Sequence, residues 1–475
     1  MLSFAYVFLV SFYGGVEVVG ITSSIITLTS LVSGIALLGL PTGVSRFLGR
    51  EFGHNNTKEV NRYFWSSLAA TLTLCVLSAT IIWVVAFLHI PISRFSDSML
   101  FFAGVIVLLN FSSAMGSLFV STTRTGSWAL SSVISAAVRV GLGIYLVYLG
   151  FGWVGAIVGG IVALLLQQAL LVLFALRELR RLGGVEVQFS GKAVRESLHA
   201  GAVAWFPGVI VLLGQQLGTL MVFGMGGGLE AGTYYIAYMV FTIAYMAPSA
   251  LNGMLFPALS GLNIEARKDL ARKVLKICFA IACPITVFLA LYPELPLSLI
   301  GAQYLEASSA LSILVLNVIP VTFIFTVGAF VYASGHYGKS IAADTLTGVS
   351  QVISYFVLVP IYGGVGAALS YSMGILVGFG AMMVLSRLVR LGAPSGKIAI
   401  AVLVPFAVAL PCYLLRLGWL ISGTIILLSS IVFYGRMGVV ERSDLAEIAR
   451  AFAPEKTVAK AGRRLGWLLR IIYGD

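Results

Sequence analysis

Acidic side chains are scarce in this sequence, and scarcest where the chain is most apolar. Its 475 residues hold 18 aspartates and glutamates against 30 lysines and arginines, and only Asp344 enters a long apolar run, near the end of that run. A carrier of cations would need carboxylates at depth, so their scarcity argues against cationic cargo. The four histidines, His54, His89, His199 and His336, and the five aspartates, Asp97, Asp269, Asp344, Asp444 and Asp475, are scattered without ligand spacing. This pattern excludes the clustered acids, bases or metal ligands of a membrane-surface hydrolase or transferase. Cysteine is equally sparse. Cys75, Cys278, Cys283 and Cys412 lie in apolar sequence and read as packing residues, forming neither a zinc pair nor a disulfide framework. The glycine cluster GMGGG at 224–228 leads into no helix carrying a phosphate-binding lysine. An enzyme is not indicated, and no cofactor or metal is expected.

What is abundant is hydrocarbon. Hydrophobic residues make up 59% of the chain and charged residues 10%, with a mean hydropathy of +1.01. A bilayer core needs roughly 20 apolar residues per helix, and about fourteen such runs succeed one another. They fall at 1–19, 21–48, 62–89, 98–121, 128–149, 153–176, 198–224, 231–259, 272–292, 308–334, 340–360, 364–386, 397–416 and 418–435. The runs are long and continuous, which excludes barrel strands and leaves an all-α polytopic membrane protein. Met1 opens directly into LSFAYVFLV without a basic flank, so no cleavable signal peptide is expected. The first run has only about 13 residues before Gly14 and Gly15, which points to a truncated or misassigned start.

The basic residues give an orientation. With the N-terminus in the cytoplasm, every lysine and arginine except Arg94, Arg139 and Arg416 falls in a cytoplasmic segment. The net charge of +12 is then mostly a topology signal directed at anionic phospholipid headgroups, and nucleic acid is not an expected partner. The tail segment KAGRRLGWLLRIIY, 460–473, suits a basic helix on the inner membrane surface. Both termini are expected in the cytoplasm.

The chain also repeats itself. GGVEVVG at 14–20 returns as GGLEAG at 227–232, and FGWVGA at 151–156 returns as YGGVGA at 362–367, at a nearly constant offset. Six spans then correspond to the next six. Six is even, so both halves run in the same direction and would be related by a pseudo-twofold axis along the membrane normal, as in transporters built of parallel repeats. The expected organisation is an N-terminal six-helix bundle, 1–176, a cytoplasmic linker, 177–197, and a C-terminal six-helix bundle, 198–386. Two added spans, 387–435, and a basic amphipathic tail, 436–475, follow. Two such bundles enclose a central cavity.

Arg139 lies about 16 Å into the fifth run, at the bilayer middle, too deep to snorkel easily. A charge there costs at least about 2.5 kcal/mol, so it must face protein or water. The repeat offset carries it onto Gln351. The pair reads as the polar wall of a cavity that accepts an anion. Alternatively, Arg139 pairs within its own bundle, with carbonyls near Gly141 and Gly143 or with Asp344, and Gln351 bridges helices. Gln215 and Gln216 lie midway along the seventh run, and Asn110, Asn252 and Asn317 lie in runs 4, 8 and 10; each either faces a cavity or joins helices. Arg46 follows Pro41, which can kink the second run, and Arg124 lies at the next inner loop. Both would stand at an inner vestibule or contact headgroups. Asp344 is the candidate coupling residue, with a helix-end pair to Lys339 as the other reading.

The Gly-x-Glu-x-x-Gly turn, the GLPTGVSRFLGREFG passage and the HNNTKEVNRYFWSS approach to the third run resemble the polysaccharide-transporter flippases. These belong to the superfamily (MOP) that also holds the multidrug MATE exporters and the lipid II flippases. The resemblance spans essentially the whole chain. It implies transport of a polyprenyl-phosphate- or diphosphate-linked oligosaccharide to the outer leaflet, with glycan-assembly enzymes as possible partners. In that setting Arg139 would attract the phosphate, while Gln351, Gln215, Gln216 and Asn252 would contact sugar or phosphate, and Arg46 and Arg124 would line the approach. A MATE-like exporter of small molecules and a non-transporting membrane scaffold are the alternatives.

Overall fold

The computed structural model of the chain describes residues 2–54, 56–90, 93–122, 124–260, 262–391 and 396–441. The basic tail segment 460–473 lies outside the described residues. Among those described, the regular structure is entirely helical, with fifteen α-helices joined by short turns. Ten stretches are long and apolar enough to cross a membrane. Three of them, Thr125–Arg181, Trp205–Gly253 and Tyr337–Leu388, run to 57, 49 and 52 residues. At roughly 20 residues per crossing, each holds enough helix for two. The all-α polytopic class expected from the sequence therefore holds, but the described residues give at most thirteen crossings and not about fourteen, because the runs expected at 1–19 and 21–48 share the single 33-residue stretch Phe4–Ala36. Hydropathy runs counted separately are here joined across breaks.

The breaks occur at glycine. Helix α1 (Leu2–Ala36) turns at Gly15, with φ 79° and ψ −178°. Helix α8 (Gly191–Ser260) turns at Gly227, with φ 81° and ψ −166°. Between α6 (Thr125–Leu146) and α7 (Gly152–Arg181), Gly152 has φ 53° and ψ −136°, and within α13 (Tyr337–Leu388) Gly363 has φ 53° and ψ −129°. Side chains rarely tolerate these torsions, which explains glycine at all four positions. The matching torsions also fix the repeat register. Gly15 corresponds to Gly227, not Gly14, so the GGVEVVG and GGLEAG alignment shifts by one residue. Val18, not Glu17, then corresponds to Glu230. Val18 Cγ2 lies 3.9 Å from where a Cβ on Gly152 would sit, and Glu230 Oε1 accepts the Gly364 N–H at 2.9 Å. The same corner is closed by a methyl group in one repeat and by a carboxylate in the other.

The run expected at 21–48 is not one helix. It ends at Ala36, and α2 (Leu40–Gly53) begins after Leu38 and Gly39, both left-handed at φ 50° and 72°. Pro41 therefore kinks nothing. It occupies the first turn of α2, where its missing N–H would have had no helical partner. Two further runs are interrupted at asparagine: a 3-10 turn at Asn110–Ser112 separates α4 (Asp97–Leu108) from α5 (Ser113–Ser121), and Asn317 separates α11 (Ser308–Leu316) from α12 (Val318–Ala333).

By contact the chain divides into two units, residues 1–235 with 355–367, and residues 236–354 with 368–475. In the first, Leu40, Val44, Leu48, Phe64, Met115, Leu118, Phe119 and Leu171 form a buried core between α2, α3 (Thr57–Phe87), α5 and α7. The stretch after α7 is tied to α3. The Asn61 amide donates to Gly184 O at 3.0 Å and accepts from Glu186 N at 3.3 Å, while Ser190 N donates to Ser66 Oγ at 2.9 Å. Asn61→Ala would strand buried polar groups at a cost of about 1–3 kcal/mol. Trypsin cleavage after Arg181 is expected to accelerate several-fold, and an unchanged rate would show that the clamp does not hold the linker.

In the second unit, α9 (Ile264–Leu291) sends Arg267 to the Ala333 carbonyl at 2.8 Å and Arg272 to the Leu391 carbonyl at 2.9 Å. Basic residues thus satisfy carbonyls at and just beyond helix C-termini, whereas charge counting alone assigns them to headgroups.

Candidate functional site

Within the first unit, α1, α4, α6 and α7 enclose a cavity of about 300 Å³. Helices α6 and α7 cross closely beside it. A Cβ on Gly159 would lie 2.4 Å from Gly143 Cα, and Ser135 Oγ donates to the Ala163 carbonyl at 2.7 Å. On α6 the lining residues Ser132, Ser135 and Arg139 are three and four residues apart and so share one face. On α7, Gly160, Ala163 and Gln167 face them, and α1 contributes Thr29 and Ser30.

Arg139 holds the cavity's charge. Its Cζ stands 4.4 Å from the centroid of the Tyr6 ring, a cation–π contact. Tyr6 is 1% exposed; it fills the notch left by Gly143, and its hydroxyl donates to the Ala156 carbonyl at 2.9 Å. The first segment of α1 thus supplies the ring on which the arginine rests. A Cβ on Gly160 would lie 3.9 Å from Arg139 Nε, an ordinary contact distance, so α7 passes directly beside the guanidinium. That Nε is buried and has no hydrogen-bond partner. No aspartate or glutamate lines the cavity or the small hollow on the far side of Tyr6. A cation held by a ring face, with a donor left open and hydroxyl and amide groups around it, can accept an oxyanion.

Tyr6→Leu keeps bulk but removes the ring face beneath the guanidinium. It should lower stability by about 0.5–2 kcal/mol, read as a drop in the thermal midpoint, with Tyr6→Phe nearer wild type. Equal midpoints for the leucine and phenylalanine variants would contradict the contact.

The other sequence candidates are distributed differently. Gln215 is exposed and Gln216 half-buried on α8, and neither lines the cavity. Arg46 is exposed on α2. Arg124 is in an ion pair with the buried Glu178 at 3.1 Å, so it ties the start of α6 to the end of α7. The remaining three belong to the second unit. Gln351 is 3% exposed; its amide donates to the Tyr371 carbonyl at 3.4 Å, and a Cβ on Gly374 would fall 2.1 Å from its Cγ. It joins the two limbs of α13. Asn252 accepts from Thr326 Oγ1 at 2.7 Å, while its amide nitrogen is buried without a partner. Asp344 is half-buried on α13. Asn317 donates to Ser372 Oγ at 2.7 Å, the bridging role considered for it, whereas Asn110 lines the Arg139 cavity.

Sequence reasoning missed Tyr6, Thr29, Ser30, Ser132, Ser135 and Gln167. The signal for α6 was legible, because Ser132 and Ser135 precede Arg139 at helical spacing in an otherwise apolar run. Tyr6 carried none, since its partner Arg139 is remote in sequence and on another helix. The four cysteines are buried and unpaired, and among the described residues no cluster could hold a metal.

No curated protein matches the chain in sequence. Among solved structures, a lipid II flippase MurJ in an inward closed conformation aligns with a TM-score of 0.70 at 13% identity, covering 92% of this chain and 99% of that one. An inward-facing multidrug resistance MATE family transporter of the MOP superfamily aligns with a TM-score of 0.62 at 18% identity, over 81% and 94%. A MOP superfamily transporter from Pyrococcus furiosus, described by the reverse polarity of its binding pocket, aligns with a TM-score of 0.57 at 17% identity, over 82% and 92%. The profile of the family described as polysaccharide biosynthesis protein matches residues 18–309, more than half of the chain. The chain therefore belongs to the polysaccharide biosynthesis protein family, on a fold shared with transporters of the MOP superfamily.

Proposed function

We propose that the chain flips a polyprenyl-phosphate- or diphosphate-linked oligosaccharide across the cytoplasmic membrane by alternating access, with Arg139 receiving a phosphate. The observation that carries this reading is the carboxylate-free cavity holding a half-buried arginine whose buried Nε is an open donor. Family membership supports a polysaccharide precursor as cargo. The fold is that of proteins described as a lipid II flippase and as multidrug transporters. The sign of the cavity favours the first kind of cargo, and a pocket of reverse polarity is described for the Pyrococcus furiosus transporter of the same fold.

About 300 Å³ holds a phosphate with one sugar and not a whole oligosaccharide. The remainder of the glycan would lie outside this cavity, where Gln215, Gln216 and Arg46 offer polar contacts. The two six-helix bundles, 1–176 and 198–386, would rock about the pseudo-twofold axis, with 387–435 alongside. Both termini are cytoplasmic, which places the basic loops and the tail against anionic headgroups. Asp344 is the proposed coupling residue, and glycan-assembly enzymes are the proposed partners. An exporter of small molecules is the competing reading.

Transport by wild-type proteoliposomes separates the two. A fluorescent polyprenyl-diphosphate oligosaccharide should cross, and a cationic dye should not. Movement of the dye without the glycolipid would overturn the proposal.

A further inference from the structure

A second hollow in the first unit lies away from Arg139, between the α1–α2 junction and the start of α8. It is an open groove of about 580 Å³. Leu38, Val194, Leu198 and Trp205 form its wall, and Arg195 and His199, one helical turn apart, line it too. Both sides of the groove adjoin long apolar stretches, since α1 ends at Ala36 and, on α8, the charged segment 192–199 gives way to an apolar run at Ala200. The groove therefore sits at the depth where hydrocarbon gives way to headgroups, the level that tryptophan favours.

The groove is firmly built. Trp205 Nε1 donates at 3.1 Å to the Ile35 carbonyl, beside the break that ends α1. Gly39 and Gly201 meet backbone to backbone, where a Cβ on either would lie 2.5 Å or 2.1 Å from the other's carbonyl oxygen. Leu38 is left-handed at φ 50°, a conformation better suited to glycine or asparagine, yet an exposed leucine stands there and faces the groove. Arg195 is exposed, and among the described residues no carboxylate pairs with it. The neighbouring Glu196 is engaged by Tyr63 and Lys192.

We propose that this groove seats an anionic phospholipid, with its phosphate at Arg195 and His199 and one acyl chain along Leu38, Leu198 and Trp205. The positive charge complements an anionic headgroup, and the apolar wall calls for a chain, which free phosphate lacks. This site does not depend on the cargo assigned to Arg139.

The test uses the full-length protein in detergent with equimolar phosphatidylglycerol and phosphatidylcholine, counting retained lipid by native mass spectrometry. Phosphatidylglycerol should be retained several-fold over phosphatidylcholine. Arg195→Gln should remove that preference, whereas Lys58→Gln, an exposed basic residue on α3, should keep it. Leu38→Asn, which suits the left-handed backbone but makes the wall polar, should lower retention of both lipids. Unchanged preference in Arg195→Gln would overturn the proposal. So would selective displacement of the bound phosphatidylglycerol by one equivalent of polyprenyl phosphate, which would make the groove a cargo site.

Discussion

Arg139→Met should yield a protein that is more stable and does not transport. A charge at the membrane centre costs at least about 2.5 kcal/mol, and the Tyr6 contact returns about 0.5–2 kcal/mol of it. No carboxylate lines the cavity around the guanidinium, and Nε has no partner. Methionine would fill much of the same space without the charge, so a net gain of about 1 kcal/mol is expected, visible as a rise of a few degrees in the thermal midpoint. A structural arginine behaves in the opposite way, because removing one partner of a buried pair destabilises. A lower midpoint for Arg139→Met would therefore contradict the assignment of this residue to cargo.

The second large effect is expected where the two repeats touch within the first unit. A Cβ on Gly20 would fall 1.7 Å from Gly228 O and 2.7 Å from Gly232 N, and one on Gly232 would fall 2.2 Å from Val16 O. Gly20 and Gly232 are equivalent positions of the two repeats, so each helix offers the other the same bare backbone. Backbone cannot rotate out of the way as a side chain can. Gly20→Ala should cost about 3 kcal/mol, at the upper end for overpacking, and Gly232→Ala a similar amount. Gly141, on α6, has nothing within 4 Å of its would-be Cβ, and alanine there should be neutral or stabilising by up to about 1 kcal/mol. Thermal unfolding of the three variants decides the matter. Equal midpoints would show that the crossing relaxes freely.

The sequence and the structure agree where a physical constraint has a compositional mark. Membrane crossings need long apolar runs, and those were legible. Left-handed breaks need glycine, so GGVEVVG and FGWVGA exposed the repeat before any torsion was known. Register within the repeat was less legible, because adjacent glycines are interchangeable on paper and only the torsions distinguish Gly14 from Gly15. The break before α2 was hidden for the opposite reason: Leu38 adopts the left-handed conformation although its composition reads as continuous helix.

At the site, Arg139 stood out because a charge among apolar residues needs an explanation. Its counterpart by offset, Gln351, is packed against Tyr371 and Gly374. Equal depth in a repeat does not ensure equal surroundings. The repeats even exchange one packing pair. Tyr6 fills the notch at Gly143, whereas at the equivalent positions of the second repeat a Cβ on Gly218 would meet Tyr355 Cε1 at 3.0 Å. Tyrosine and glycine have traded helices, which preserves the shape of the contact and removes the residue that cradles a guanidinium. Arg124 illustrates a further limit. Its basic charge near the inner surface suggested a vestibule, but Glu178, 54 residues away in sequence, engages it.

The central claim is that Arg139 serves transport by receiving the phosphate of a lipid-linked glycan. Its most direct test is the rate at which reconstituted protein flips a fluorescent polyprenyl-diphosphate oligosaccharide, compared among wild type, Arg139→Ala and Arg139→Lys at equal folded protein. Loss of one charge-assisted contact to phosphate is worth about 1.5–3 kcal/mol, a slowing of about 10- to 150-fold in Arg139→Ala. Arg139→Lys should fall between, retaining the charge but not the planar pair of donors. An alanine variant that flips as fast as wild type would contradict the claim.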